Sequence, residues 1–408
     1  MFWSKKKVSP PPPPAPAPGA PVAVNPFDAN LYRRLSAKPG NLFFSPYSIS
    51  AALAMVQAGA AGKTREEIET VLGFPGAGDG FVGTYGALQK ELAGRSEPTS
   101  FEKRLAQESE GVPPDSFGCH LSVANALWKQ AGYVVRPEFV VKLQRELGSE
   151  VREADFAKAR EEAAAKVNAW AAQATRDKIR EVVDAEQIDR RTRVMLANAI
   201  YFKARWQEEF QEQITRPGPF TRLDGRRGDV PMMHQRHHFA YARDGALQVL
   251  RLPYSGGKIA MEILLPDAGA FAAAERDLDA ARLGRLLGEK TSLETQVTLP
   301  KFRVESTFEL KDDLIALGMP AAFGPQADFS AVSSEPEFAL GGVIHKTFVD
   351  VNERGTEAAA VTIPMMCGAG VPQQVVEFTV DRPFLFLIRD LPTSTTLFMG
   401  RVLDPGVR

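Results

Sequence analysis

Residues 353–374 read Glu-Arg-Gly-Thr-Glu-Ala-Ala-Ala-Val-Thr-Ile-Pro-Met-Met-Cys-Gly-Ala-Gly-Val-Pro-Gln-Gln. The stretch has no core-facing period, yet a β-like run precedes it (343–351) and another follows it (375–380). Connections inside a compact domain usually take ~4–6 residues, so one this long is functional or disordered. Its first half is made of small residues and ends in Val361, Thr362 and Ile363, a β-compatible run that can slide between two existing strands without a steric clash. Its second half holds Gly368-Ala369-Gly370, flexible enough to enter a protease cleft. The segment reads as bait.

Further β-like runs lie at 194–206, 247–252, 260–265, 293–304 and 384–388. Helical spacing comes earlier in the chain. Residues 45–59 carry Ile49, Leu53 and Val56 at helical intervals, and 160–183 is centred on Val167 and Trp170. Thr64 and Glu67 make a capping box before Ile68, Val71 and Leu72. Helices early and strands late predict an α+β fold rather than a repeating βαβ pattern. Residues 94–117 are polar, without a clear period, and read as a surface insertion. The first 26 residues hold nine of the 30 prolines and follow Lys5, Lys6 and Lys7 with an unbroken proline run. Such a composition favours an extended polyproline spacer and cannot bury a core. The predicted organisation is a disordered proline-rich tail (1–26) and a single domain (27–408). No hydrophobic signal segment follows Met1, so the protein starts in the cytoplasm if Met1 is the native start, and is secreted if an export signal has been removed.

The 408 residues carry 49 basic and 50 acidic side chains, a formal charge of −1. That balance offers little counterion release and argues against a surface built broadly for nucleic acid or anionic lipid. No apolar run approaches the ~20 residues of a membrane-spanning helix. Two cysteines, Cys119 and Cys367, cannot make a disulfide framework. Gly59-Ala60-Ala61-Gly62-Lys63-Thr64 ends like a phosphate-binding loop, but Gln57 stands where that pattern needs glycine, and a link between two helices is the better account. His234, His237 and His238 have no carboxylate or cysteine nearby to complete a zinc set, and read as a solvated turn. A hydrolase nucleophile on a Gly-x-Ser-x-Gly turn is absent from the sequence. Ser45, Ser48, Asn198 and His345 are embedded in apolar sequence, where buried polar groups satisfy one another; a structural network accounts for all four.

Several long motifs, in order, resemble the serpin family over nearly all of residues 27–408. Asn41-Leu42-Phe43-Phe44-Ser45-Pro46-Tyr47-Ser48-Ile49 resembles its N-F-x-S-P-x-S-I segment. Asn198-Ala199-Ile200-Tyr201-Phe202-Lys203-Ala204-Arg205-Trp206 resembles its N-x-x-x-F-K-G-x-W strand, with Ala204 in place of glycine. Asn352-Glu353-Arg354-Gly355-Thr356-Glu357-Ala358-Ala359-Ala360 resembles the reactive-loop hinge. Arg382-Pro383-Phe384-Leu385-Phe386-Leu387-Ile388 and Leu397-Phe398-Met399-Gly400-Arg401-Val402 resemble the closing strands.

The resemblance implies a single domain of three β-sheets and eight to nine helices, with a reactive-centre loop exposed above the sheet called A. It implies a suicide-substrate inhibitor of serine proteases, not an enzyme, acting as a monomer without cofactor or metal. The protease would attack the loop and stay covalently bound as the cut loop inserts into sheet A. Gly355, Thr356, Glu357, Ala358, Ala359 and Ala360 would be the hinge. Ser45, Ser48, Asn198 and His345 would form a shutter beneath the sheet, and Trp206, Lys301 and Glu353 the breach where insertion begins. Family spacing counted from Gly355 places the reactive bond between Ala369 and Gly370, with Met366 and Cys367 as alternatives. Alanine there suits an elastase-like or subtilisin-like pocket. Two residues depart from the hinge pattern: Val361 is bulkier than usual, and Pro364 cannot donate to a strand ladder. The alternative is a non-inhibitory serpin, a binding or chaperone-type protein whose loop is cut without trapping.

Overall fold

Fifteen strands and nine α-helices lie among the residues that the computed structural model describes, 24–78, 80–97, 104, 119–190, 192–288, 290–333, 339–356 and 375–407. The architecture is α+β, as expected. One sheet of six strands runs, in spatial order, β10 (Phe302–Glu309), β11 (Leu340–Asn352), β12 (Gly355–Thr356), β4 (Val194–Arg205), β2 (Cys119–Gln130) and β3 (Glu150–Ala154). A second network runs β1 (Leu42–Phe44), β15 (Thr395–Val402), β14 (Phe384–Asp390) and β8 (Ile259–Pro266). It continues through β7 (Leu247–Pro253), β6 (Arg227–Asp244), β9 (Thr291–Pro300) and β13 (Val376–Thr379), with β5 (Arg216–Thr221) joined to the start of β6. The 18-residue β6 pairs first with β5, then with β9, and at its far end with β7. It thereby joins the second and third of the three expected sheets into one hydrogen-bonded path.

The helix Pro46–Gln57 is buried on every side, as its nearly continuous apolar sequence requires. It touches β2 and β4 on one side and β15 on the other, so it lies between the two networks. On the outer face of the six-stranded sheet, helix Arg160–Ala174 packs Ala163, Val167, Trp170 and Ala171 against Ala126, Trp128, Met195, Ala197 and Ile344. Consecutive strand residues point to opposite faces. Asn198 and His345, the neighbours of Ala197 and Ile344, therefore point inward toward the buried helix.

Four local expectations need correction. Thr64 and Glu67 form no capping box: helix Gly62–Val71 starts two residues earlier, and both side chains instead accept backbone N–H groups of a distant segment, those of Asp328 and Ala321. Helix Arg160–Ala174 stops well short of residue 183, because Arg176 and Asp177 take positive φ and turn the chain. The single run 293–304 is two strands of different networks, β9 and β10, broken at Lys301. His234, His237 and His238 lie on β6, with His234 donating or accepting at Thr298 Oγ1 of β9, rather than on a turn. The link between the helices ending at Gln57 and beginning at Gly62 is as expected.

Candidate functional site

Strands β4 and β11 run parallel and meet directly from Leu340↔Val194 to Thr347↔Ile200. His345 and Asn198 are register partners in this seam. The His345 ring accepts the Ser45 backbone N–H at Nε2 (3.0 Å), so its proton sits on Nδ1 and is donated to Asn198 Oδ1 at 2.5 Å. Burial pushes this imidazole down to about 3, and the ring is neutral. Asn198 Nδ2 reaches Ser48 Oγ, the Ser48 carbonyl and Asn125 Oδ1. Ser45 Oγ caps the buried helix by accepting the Ser48 N–H at 3.0 Å and donates to the Leu397 carbonyl. The four residues singled out in the sequence are thus brought together in one closed network, all fully buried. Asn125 of β2 is its fifth member. Nothing in the sequence reading marked it, because the alternation through Leu121, Val123 and Leu127 is the only signal of β2.

Above Thr347 the two strands no longer pair with each other, and β12 stands between them. Gly355 and Thr356 are antiparallel to Asn352 and Val351 on one side and to Arg205 and Ala204 on the other. Gly355 has φ +150°, and a Cβ there would lie 2.1 Å from the Ala204 carbonyl oxygen, so only glycine fits. Ala204, the departure from the family's glycine, is the register partner of Thr356. The Thr356 side chain is buried and its Oγ1 is 2.8 Å from the Tyr254 hydroxyl.

The turn that delivers these two residues is strapped from outside. Trp206 donates its Nε1–H to the Asn352 carbonyl (3.0 Å) and its backbone N–H to the Arg354 carbonyl (2.8 Å), while Phe210 donates to the Glu353 carbonyl (2.8 Å). Lys301 Nζ stands 2.8 Å from Glu353 Oε2. Burial alone would raise the Glu353 carboxyl, but the hydrogen bond and charge of Lys301 hold it below its usual range. Arg354 reaches Glu212, and Arg205 reaches Glu209. Trp206, Lys301 and Glu353 therefore meet at one end of the seam. Tyr254, which completes this end, was not among the residues read from the sequence; it follows β7 in a Pro-Tyr-Ser-Gly-Gly turn that carries no periodic signal. Glu357, Ala358, Ala359, Ala360, Met366, Cys367, Ala369 and Gly370, with Val361 and Pro364, lie outside the described residues.

A family model described as "Serpin (serine protease inhibitor)" matches residues 22–405. A serpin-like protein of Thermococcus kodakarensis is 37% identical over 94% of this chain and 85% of its own length. The leukocyte elastase inhibitor of Bos taurus is 36% identical over 90% of this chain and 93% of its own. The solved structure of human thyroxine-binding globulin superposes with TM-score 0.80 at 27% identity, covering 93% of this chain and 97% of that one. A match of this extent, together with the seam and its polar network, places the molecule: the chain belongs to the serpin family of protease inhibitors.

Proposed function

We propose that this chain inhibits serine proteases as a suicide substrate and turns over nothing. The observation that carries the reading is β12: two small, uncharged residues occupy the seam between β4 and β11, so a severed segment has a started path into the sheet. Extending that path by ~12 residues would pair backbone on both sides at ~0.5–1.5 kcal/mol per hydrogen bond. With side-chain burial the total exceeds ~10 kcal/mol, comparable to the stability of a whole domain and enough to distort a bound protease. The intact fold is then held kinetically. In this reading Gly355 to Ala360 are the hinge, and Ser45, Ser48, Asn198 and His345 the shutter that must part. Trp206, Lys301 and Glu353 mark the entry, and Ala369–Gly370 is the reactive bond, with Met366 and Cys367 as alternatives. The alanine and the likeness to a leukocyte elastase inhibitor both favour an elastase-like or subtilisin-like target. The proline-rich tail serves as a tether outside the inhibitory domain, but its expected end at residue 26 is too late: Pro26 opens the first helix, Pro26–Leu35, and Asn25 caps it.

A second reading, a binding serpin without inhibition, is favoured by the likeness to thyroxine-binding globulin in complex with thyroxine. Incubation with pancreatic-type elastase and with subtilisin, followed by a denaturing gel, separates the two. A stable band near the summed masses is the expected result. A nicked chain beside fully active protease would replace the inhibitory reading with the second. N-terminal sequencing of the released fragment fixes the reactive bond.

A further inference from the structure

Tyr254 is fully buried. Its backbone N–H donates to the Ile259 carbonyl, and its ring stacks on Trp206 at 4.5 Å with 9° between planes. The Phe202 ring meets it edge-on at 5.1 Å. The hydroxyl at the end of this fixed ring has a partner on the hinge, Thr356 Oγ1, at 2.8 Å. Trp206, the other half of the stack, holds the turn before the hinge through the carbonyls of Asn352 and Arg354. One aromatic pair thus grips the hinge at two points, before Gly355 and after it.

We infer that Tyr254 is the positioning residue that keeps Gly355 and Thr356 seated between β4 and β11 before any cut is made. A two-residue strand has little else to hold it, since its backbone can pair at only four register positions. A buried hydroxyl pair is asymmetric in its effect. Losing one partner leaves the other desolvated and unpaired, whereas losing both is nearly neutral. The seated hinge is therefore in equilibrium with a released one, and the Tyr254 hydroxyl sets the balance. For the inhibitory reading proposed above, on which only this consequence rests, the seat is the nucleus of insertion. Weakening it delays insertion after acylation and lets more of the chain leave as cleaved product.

The test needs no protease. Hydrogen exchange is measured on the intact full-length chain, with mass spectrometry reading the peptide that contains Gly355 and Thr356. Tyr254→Phe keeps the stack and removes the hydroxyl; Thr356→Val removes the other partner and stands as an independent arm should Tyr254→Phe fold poorly. Each single variant is expected to exchange at this peptide roughly tenfold faster than the parent. The double variant Tyr254→Phe/Thr356→Val is expected to return to within about threefold of the parent, because no hydroxyl is left unpaired. Unchanged exchange in both single variants, or a double variant as fast as the two effects multiplied, overturns the assignment. If the exchange cycle closes as stated while the parent forms no covalent complex with elastase or subtilisin, the inhibitory reading alone fails and the Tyr254 seat stands.

Discussion

His345 and Asn198 face each other across the β4–β11 seam, joined Nδ1 to Oδ1, so the strands cannot part there without breaking a buried hydrogen bond. Asn198→Ala leaves the His345 Nδ1–H and the Ser48 side chain without their partner, and is expected to destabilise the intact fold by ~2–4 kcal/mol. The loss is read as a lowered midpoint in chemical denaturation. A change below ~0.5 kcal/mol would mean that the network is satisfied by water and does not latch the seam.

Acid should loosen the same point. Burial holds the His345 imidazole at about 3, against an ordinary ~6.5. Its folded pKa is depressed, so the unfolded chain takes the proton first. The contribution of the neutral ring is full above pH ~6.5 and is lost as pH falls toward 3, by ~1.4 kcal/mol per unit. Denaturation midpoints of the parent and of His345→Asn, compared from about pH 7.5 to about pH 4.5, should diverge in that sense, the parent falling faster. Parallel curves would show that the ring does not titrate on unfolding.

Asp28 has the opposite sign. Burial raises its carboxyl to about 7, against the lowering effects of the Thr396 hydroxyl and the Arg389 charge. A raised carboxyl binds its proton in the fold, so its contribution is most favourable below ~3.8 and is lost as pH rises through 7. Asp28→Asn keeps a hydrogen-bonding group at Thr396 and removes the titration. The variant should be more stable than the parent near pH 8, and the advantage should vanish near pH 4. An advantage independent of pH would place the titration elsewhere.

Arg389, whose charge acts on Asp28, also belongs to a buried charge centre around Glu262. Glu262 is fully buried on β8, with Arg251 Nη2 at 2.7 Å, Lys290 Nζ at 3.3 Å and Arg389 Nη1 at 3.8 Å. Burial lowers Lys290 to about 8 even beside this carboxylate. Glu262→Gln removes the one negative partner shared by these three cations, and is expected to cost ~3–5 kcal/mol or abolish soluble expression. Glu262→Gln combined with Lys290→Met should recover part of the loss, since one stranded charge leaves with its partner. No recovery would mean that Arg389 and Arg251, rather than Lys290, are the groups that need the carboxylate.

The contrast between these sites explains what was legible in the sequence. Ser45, Ser48, Asn198 and His345 could be grouped because polar residues inside apolar runs must find partners, and few others were available. Small residues able to slide between two strands were legible from composition, and Gly355 and Thr356 do lie between β11 and β4; the hinge role itself came only from the resemblance. Asn125, Tyr254 and Glu262 were not legible. Asn125 lies on β2 (Cys119–Gln130), a strand missing from the β-like runs read in the sequence, and Tyr254 sits in a turn whose direction depends on β7, β8 and Trp206 together. Thr64 and Glu67 misled for the same reason: their side chains suit a helix cap, but the segment at 320–328 offers them other partners. Local chemistry shows which groups need a partner, and the tertiary fold decides which one they find.

Thr356→Arg tests the hinge directly. Thr356 is buried between two strands, beside the Tyr254 hydroxyl and opposite Ala204. An arginine in that place brings an unpaired cation into a dry seam, a cost that stops insertion at its first step. The variant should still be cut by elastase, but leave as nicked chain with the protease active. Undiminished complex formation would contradict the placement of residue 356 in the seam.

The last expectation concerns the cut chain itself. In the intact fold the upper part of the seam holds two residues of β12, while β4 and β11 meet directly only below Thr347. On the proposed mechanism, cleavage within 357–374 would free the residues after Thr356 to continue along the path that β12 begins. Each added residue pairs with a strand on either side and buries every second side chain. Insertion must also separate His345 from Asn198, but that loss is a few kcal/mol against a gain above ~10. The cut chain should therefore melt well above the intact one, by tens of degrees rather than a few, when both are heated under the same buffer and scan rate. On the same mechanism Pro364 would limit the gain, because its missing N–H would leave one acceptor in the ladder unpaired, and Pro364→Ala should raise the melting point of the cut form further. A cut chain that melts no higher than the intact one would remove the energetic basis of trapping.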